Sequence, residues 1–222
     1  MSMKKTHYIF ISFISIVLHQ VTFAQAFRKG SFSISVSEGS TFGHYRTTDA
    51  GGNTPIVIGD NFEPGVRDPL IIQYGVSNKW SIGLSSGNDV FNVNPSKYYG
   101  FSTSNNTVKA TTSEFTFDVN YHLYVNKRLD MSVFASSGVF SIKIQGNDQD
   151  VFYKHESSGL ILRYGTKVHY YFFKRLGAVG IISSYLASGS PKGIKDNNEA
   201  KTYNTTIKGV AIEAGLCYRL FR

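Results

Sequence analysis

The strongest constraint on this chain is an alternation of apolar and polar residues with a period of two. Phe115, Phe117 and Val119, for example, alternate with Thr116 and Asp118. This period places the two sets of side chains on opposite faces of a β-strand. After residue 26 no segment has the length expected of a transmembrane helix. Eight candidate strands follow, the seventh apolar without a clear parity, and they begin near Ser31, Leu70, Trp80, Phe115, Leu129, Leu160, Leu176 and Val210.

The connections between these segments predict their arrangement, because short and long connections alternate. The short ones are 77–79, 124–128 and 172–175, and the longer ones are 38–68, 88–112, 145–156 and 187–204. Short turns on one side, longer loops on the other and both termini beside the turns are typical of outer-membrane barrels. We therefore predict an all-β fold, an eight-stranded antiparallel up-and-down transmembrane β-barrel.

One strand departs from the regular alternation. Met131 and Val133 belong to one parity, whereas Phe140, Ile142 and Ile144 belong to the other. The change falls near residues 137–138, where a glycine is present. A one-residue slip at a glycine is typical of a β-bulge, so we predict a bulge at this point.

Alternation alone does not distinguish a membrane barrel from a soluble one, because the two differ in which face is apolar. The interior of an eight-stranded barrel just accommodates its own side chains. The aromatic residues of the apolar parity would overfill that interior, whereas the small polar residues of the other parity would fit. We therefore predict that the apolar set faces lipid. Its aromatic members are Trp80, Phe115, Phe117, Tyr121, Tyr164, Tyr170 and Tyr218.

Charged residues of both signs fall on the polar parity. Buried charges are costly unless they are paired, and a barrel interior allows such pairing while a lipid-facing position does not. We therefore predict an ionic network that fills the barrel. The predicted members are Asp118, Asp130, Lys143, Arg163, Lys167, Glu213 and Arg219.

The strand ends beside the short turns carry two features of a membrane interface. The first is a girdle of aromatic residues, which outer-membrane barrels place at the interface. The second is a set of cations, which either contact anionic head groups or are simply exposed turn residues. The predicted girdle is Trp80, Tyr121, Tyr170, Phe172 and Tyr218, and the cations are Arg28, Lys29, Lys79, Lys127, Arg128, Lys174, Arg175 and Arg222.

The N-terminal residues predict export. Lys4 and Lys5 precede the uncharged apolar run 8–18, and small residues follow at 22–24 or 24–26. This is the pattern of a cleaved signal peptide, and the run is short for a transmembrane span. We assign 1–24 to the signal peptide, with cleavage at 26 as the alternative, and 27–222 to the barrel. The predicted location is the outer membrane of a Gram-negative bacterium, with both mature termini in the periplasm.

No catalytic, metal-binding or cofactor-binding residues are assigned. His44 and His155 fall in or beside predicted outer loops, near Ser and acidic residues, but nothing in the sequence brings them into one triad. No His, Cys or carboxylate cluster has metal-ligand spacing. The single cysteine, Cys217, is interpreted as a packed side chain. The net charge of +8 is dispersed, so nucleic acid is not a predicted partner.

Aromatic residues also occur in the predicted loop 88–112. They form either a binding surface or the upper aromatic girdle, and we favour the girdle. These residues are Phe91, Tyr98, Tyr99 and Phe101. The glycine-containing stretch 50–53 lacks the spacing of a phosphate-binding loop and is interpreted as part of a flexible outer loop.

Two segments carry a resemblance to a known family. Residues 69–87 (PLIIQYGVSNKWSIGLSSG) and the terminal stretch 210–221 (VAIEAGLCYRLF) resemble a hairpin and the closing strand of small OmpA- and OmpX-type outer-membrane barrels, a porin-like group common in Bacteroidota. The closing strand departs from that family by ending in Arg222 instead of an aromatic residue. The resemblance implies recognition by the barrel-assembly machinery and roles such as adhesion, envelope integrity or support of secretion.

The sequence therefore predicts an integral barrel with a structural, adhesive or surface-interaction role, a closed polar lumen and no open pore. Its expected partners are outer-membrane phospholipid and lipopolysaccharide, the assembly machinery and an unknown surface partner that binds the four longer loops. Two alternatives stay open. One is a lipid-modifying hydrolase, acyltransferase or protease with its site at the rim, and the other is a soluble periplasmic ligand-binding barrel.

Overall fold

The structure is a computed structural model, and nearly all of its described residues belong to strands. It describes residues 26–49, 55–56, 64–93, 108–148, 151–191, 194–195, 200–201 and 203–221. No helix within these ranges is long and apolar enough to span a bilayer.

Eight strand positions follow one another around the sheet. The long strands are β1 (Phe32–Asp49), β3 (Trp80–Val93), β4 (Val108–Val125), β5 (Leu129–Asp148), β6 (Val151–Tyr171), β7 (Leu176–Pro191) and β8 (Tyr203–Phe221). The second strand, β2, consists of two segments, Gly65–Arg67 and Leu70–Gly75. Pro69 interrupts it because proline has no N–H to donate to the ladder. Two short pairings add to the sheet: Pro55–Ile56 with β1, and Ile194–Lys195 with Ala200–Lys201.

Every strand pairs antiparallel with the next one along the chain, and the last strand pairs with the first. The β1–β8 ladder runs from Phe32 opposite Phe221 to Asp49 opposite Tyr203. The eight strands therefore form a closed ring, in which backbone groups are paired without sheet edges. This confirms the predicted eight-stranded antiparallel up-and-down fold.

The two ends of the ring differ. One end, here named the turn end, holds Phe32, Phe221 and the short turns 76–79, 126–128 and 172–175. The opposite end, the loop end, holds the other connections. The three predicted short turns are confirmed to within a few residues.

The predicted limits of the longer loops are wrong, because the strands continue far into each of them. Much of 38–68, 88–112, 145–156 and 187–204 is strand. Between β5 and β6 only residues 149–150 connect the strands, so this connection is not long. Polar residues in these stretches suggested loops, but the outer face of an antiparallel strand can also be polar.

The predicted bulge near residues 137–138 is also wrong. The register of β5 with β4 and with β6 runs without a break past Ser137 and Gly138. Phe140, Ile142 and Ile144 are buried because they point into the barrel, where the surroundings have become apolar. Lys143 has the opposite parity, so its predicted place in the internal ionic network is wrong as well.

The two faces of the wall have opposite chemistry, as predicted. Phe115, Phe117 and Tyr164 are 51%, 49% and 62% exposed on the outside, whereas Asp118 and Arg163 are 2% and 4% exposed. The aromatic residues of the predicted girdle at the turn end are also on the outside. There the ring centroids of Trp80 and Tyr121 lie 4.8 Å apart, and those of Tyr170 and Phe172 lie 5.5 Å apart.

Two apolar clusters inside the ring enclose a polar middle. The loop-end cluster consists of Phe91, Ala110, Phe140, Ile142, Ile144, Ile161, Tyr185, Ala187 and Ile207. The turn-end cluster consists of Ala26, Ile71, Phe134, Tyr171, Val179, Ile181 and Cys217, with Val125 packed against it. The charged side chains between these clusters are the features that distinguish the interior, and they form the candidate site.

Candidate functional site

Arg67 lies at the centre of the charged interior. It is the last residue of the first β2 segment, where the inward parity points its side chain into the ring. Its Nη1 lies 3.2 Å from Asp89 Oδ1, its Nη2 lies 2.5 Å from Glu114 Oε1, and its Nε lies 2.9 Å from Glu213 Oε1. The planar guanidinium presents its N–H groups in a fixed fork that suits several carboxylates at once. Arg67 thereby joins β2 to β3, β4 and β8.

A glycine makes room for this guanidinium. Gly87 faces inward on β3, and a Cβ atom built at this position would lie 2.9 Å from Nη2 of Arg67. A side chain there would require the end of the Arg67 side chain to shift. Gly87 thus allows the guanidinium to pack directly against the β3 backbone.

A second arginine extends the network across the ring. Arg163 donates from Nη2 to Glu114 Oε2 at 2.7 Å and from Nη1 to Ser183 Oγ at 3.0 Å. Glu114 thus accepts from both arginines, and Ser37 donates to Glu213 Oε2 at 3.2 Å. Two cations and three carboxylates are held together in this way, and their attraction offsets the cost of removing them from water.

A separate ion pair lies nearer the turn end. Lys167 Nζ is 3.0 Å from Asp118 Oδ2, and Thr116 donates to Asp118 Oδ1 at 3.0 Å. The ammonium group of Lys167 also lies 4.3 Å from the ring centroid of Phe134. This pair fills the interior between the Arg67 network and the turn-end cluster.

Ser81, His122 and Asp130 form a chain of hydrogen bonds at the turn end. Ser81 Oγ lies 3.0 Å from His122 Nε2, and His122 Nδ1 lies 2.6 Å from Asp130 Oδ1. A serine, a histidine and an acid in this order have the connectivity of a catalytic triad. Neither Ser81 nor Asp130 was a predicted catalytic residue, because alternation gives no information on contacts between strands.

The residues around Ser81, His122 and Asp130 leave no room for a substrate. Ser81 is 0% exposed, and Gln73 Nε2 donates to its hydroxyl at 2.7 Å. The ring of Phe27 stacks on that of His122 with 3.4 Å between centroids. A nucleophile needs a reacting atom about 3 Å away, and these neighbours occupy the space. The arrangement therefore acts as a buried hydrogen-bond chain.

The residues that precede β1 close the turn end. The Ala26 N–H donates to the Asn126 carbonyl at 2.7 Å, and the Ala26 carbonyl accepts from the Arg219 guanidinium. The Arg219 guanidinium also lies 4.0 Å from the ring centroid of Tyr171. Ala26 and Phe27 are both buried, so this short segment is part of the packed interior.

Several predicted positions have different surroundings from those expected. His44 and His155 lie on β1 and β6, and not in loops. Phe91 is buried in the loop-end cluster, so its predicted place in an outer girdle is wrong. Tyr98, Tyr99, Phe101 and Arg222, and the stretch 50–53, lie outside the described residues.

Other predicted positions are confirmed. Cys217 is fully buried and packed, with its Sγ 3.6 Å from the Ala178 carbonyl oxygen. Among the described cations predicted beside the short turns, all except the half-buried Lys174 are exposed. Asp118, Asp130, Arg163, Lys167, Glu213 and Arg219 are buried inside the ring, as predicted.

The sequence analysis missed three charged residues of the central network. Arg67 and Asp89 fell within predicted loops, and Glu114 lay at the start of a predicted strand without being recognised. A signal existed for all three. Asp89 continues the parity of Ser81 and Ser85, and Glu114 that of Thr116 and Asp118. Arg67 continues the parity of Gln73 across Pro69, but the proline suggested that the strand begins at Leu70.

Comparisons with known proteins were made for both sequence and structure. No protein-family model matches the chain, and no curated protein matches it in sequence. Solved structures do resemble it. The outer membrane protein OprG from Pseudomonas aeruginosa superposes with a TM-score of 0.52 at 12% identity, covering 88% of this chain and 98% of OprG.

Two further structures are similar to the same extent. The outer membrane protein AlkL in DMPC lipid bilayers gives a TM-score of 0.52 at 13% identity, over 89% of this chain and 93% of AlkL. Ail of Yersinia pestis, in complex with the heparin analogue sucrose octasulfate, gives 0.50 at 13% identity, over 86% of this chain and 99% of Ail. At these identities the similarity describes the fold.

Proposed function

Because the chain has the fold of small outer-membrane β-barrel proteins, we propose that it is an integral outer-membrane barrel with a structural or surface-interaction role. Its lumen is closed and polar, and it does not conduct. Its exported form follows removal of residues 1–24. Both mature termini lie in the periplasm, beside the short turns.

The observation that carries this proposal is the inverted distribution of side chains. Large apolar residues cover the outside of the ring, while Arg67, Arg163 and Lys167 are paired with carboxylates on the inside. A soluble ligand-binding barrel needs the opposite arrangement, with charges outside and an apolar interior. This argues against the soluble alternative.

The closed lumen is supported by the packing at three levels. The loop-end cluster, the ionic network and the turn-end cluster succeed one another along the ring axis. The interior of eight strands is about as wide as its own side chains require. Passage of ions would require disruption of the Arg67 network, whose charged side chains come from five strands, β2, β3, β4, β6 and β8.

The hydrolase alternative has less support. Ser81, His122 and Asp130 have the connectivity of a triad, but Ser81 is enclosed and lies at the turn end. His44 and His155 lie on strands β1 and β6, which are not neighbours in the ring. A role without catalysis therefore agrees better with the geometry.

The proposed partners follow from position. Cations at the turn end, including Lys79, Lys127 and Arg128, are placed to contact anionic phospholipid head groups. Lipopolysaccharide would surround the opposite half. The assembly machinery would act on β8 during insertion, and surface partners would bind the connections at the loop end.

The first experiment tests location and closure together. Cells expressing the chain are fractionated, and the membrane fraction is compared with and without boiling on a gel. We expect outer-membrane recovery, faster migration of the unboiled protein and, in planar bilayers, no steady conductance. Recovery in the soluble periplasmic fraction would contradict the membrane proposal, and stable unit conductance would contradict the closed lumen.

The second experiment tests the surface role. A strain lacking the chain is compared with one in which β5 and β6 are joined by a Gly-Asn turn in place of residues 145–154. We expect loss of surface binding or of envelope integrity in the deletion strain. The loop variant should retain integrity if the barrel alone maintains it. Equal behaviour of the deletion and wild-type strains in both assays would argue against this role.

A further inference from the structure

The outer face of the ring is not uniformly apolar. On β1, β2 and β3 it carries a polar patch that consists of Glu38, Ser40, Asp68, Ser86 and Asn88, all of them exposed. We name these five residues the outer polar patch. Two of them are acidic, and they belong to adjacent strands.

The register places the two acids side by side. Val36 lies opposite Leu70, and Gly39 lies opposite Arg67. The same register puts Glu38 opposite Asp68, so that their side chains are direct neighbours on the outer face. Like charges directly opposite on a strand pair are destabilising, which makes this arrangement costly by itself.

Apolar residues flank the patch on both sides along each strand. Val36 precedes it and Phe42 follows it on β1, and both are exposed. On β2 and β3, Val66 and Val90 lie on the loop-end side, and Leu70 and Leu84 lie on the turn-end side. On β1, β2 and β3 the patch therefore lies within the belt of exposed apolar residues, whereas on the adjoining β4 the residue opposite Asn88, Ser113, is also polar. In a membrane it would lie at the depth of the hydrocarbon.

No described residue neutralises these acids. Within the described residues, neither the Glu38 nor the Asp68 side chain has a hydrogen bond or an ion pair. The nearby Asn88 Oδ1 accepts from Ser113 Oγ at 2.7 Å, which occupies one polar group of the patch. Charged groups at membrane depth are rare and are normally paired. Since no described residue supplies a counter-charge, a group outside the barrel can supply it.

Resting on the proposed membrane location, we propose that the outer polar patch binds another membrane-embedded protein that presents a lysine or arginine side chain. Lipid does not supply such a group at this depth, because its charges lie at the head groups. A free ion would lose its hydration at this depth, and the desolvation free energy of an ion is large. A cationic side chain on a neighbouring transmembrane segment meets both requirements.

A second copy of this chain would supply no cation if the two copies met through the same face. A two-fold dimer is self-complementary, so it would bring the patch of one copy against that of the other. Four carboxylates would then meet without a cation. Charge complementarity therefore selects a different, basic partner.

The test is photo-crosslinking in intact cells of the native host. A photoreactive amino acid is placed at Ser40 or Ser86 within the patch. The matched controls are Ser137 and Ser184, which are serines of the outward parity on β5 and β7. We expect a discrete adduct from the patch positions only. Mass spectrometry should map it to a membrane segment that contains a lysine or arginine.

Charge variants decide whether the acids cause the contact. Glu38→Lys with Asp68→Lys should lower the adduct yield by at least about tenfold. Replacement of the mapped cation by glutamate should restore it. The neutral pair Glu38→Gln and Asp68→Asn provides a second variant that keeps the barrel foldable, and it should also lower the yield.

Three outcomes would overturn the inference. They are equal adducts at patch and control positions, a mapped segment without a cation, and a yield that the charge variants do not change. Heat-modifiable mobility is measured on the same samples. If the barrel is inserted and yet no adduct forms, the inference fails while the proposed membrane location stands.

Discussion

On the wall formed by β1, β2 and β3, the inward charge of Arg67 is paired, whereas the outward acids have no partner within the described residues. Arg67 points inward and meets three carboxylates from three other strands. The next residue, Asp68, points outward beside Glu38 and has no partner within the described chain. One peptide bond separates a charge that stabilises this fold from one that the fold alone does not stabilise. Removal of charge should therefore have opposite effects on the two faces.

The largest expected effect is that of Arg67→Met. It leaves Asp89, Glu114 and Glu213 buried without their central cation. Breaking a buried ion pair costs about 3–5 kcal/mol, and we expect a loss of this size in the free energy of unfolding. The measurement is urea unfolding of the barrel refolded in lipid vesicles.

A matched control for this change is Arg163→Met. Glu114 keeps its contact with Arg67 in this variant, so the loss should be smaller than for Arg67→Met. Equal losses for the two variants would mean that Arg67 is not the centre of the network.

A smaller effect of the opposite sign is expected outside. Asp68→Asn with Glu38→Gln removes two like charges from the apolar belt. Acidic residues on the lipid face cost less than the ~2–4 kcal/mol of basic ones. In vesicles that contain only this protein, we expect the free energy of unfolding to rise by about 1 kcal/mol. A decrease would show that the chain itself stabilises these acids.

An effect of similar size, but destabilising, is expected for Ser81→Ala. It removes one hydroxyl from the hydrogen-bonded residues Ser81, His122 and Asp130. We expect the free energy of unfolding to fall by about 1 kcal/mol. A fluorophosphonate probe should not label the wild-type protein, because Ser81 is enclosed. Labelling of the wild type that is lost in Ser81→Ala would revive the hydrolase alternative.

The sequence predicted the wall well and the interior in part. The parity of Phe115 and Asp118 was readable because side-chain direction in a strand depends only on position along it. The same rule failed at Phe140 and Ile142. The interior there becomes apolar, so hydrophobicity no longer marks the outside, and a register break was inferred where none exists.

The candidate site was predictable only as a set of charges. Asp118, Arg163 and Lys167 were identified from parity, but their partners were not. Arg67 was missed because Pro69 suggested that the strand begins only at Leu70. The outer polar patch shares this region, where polarity on both faces of a strand resembles a loop.

By itself, the sequence determined the strand class, the number of strands, the short turns and the face that meets lipid, since these depend on local alternation. Only the tertiary structure decided which charges are paired. Arg67 and Glu213 are 146 residues apart and meet because the last strand pairs with the first. Ring closure fixes the register of every strand at once, and that register selects the residues that face one another across the interior.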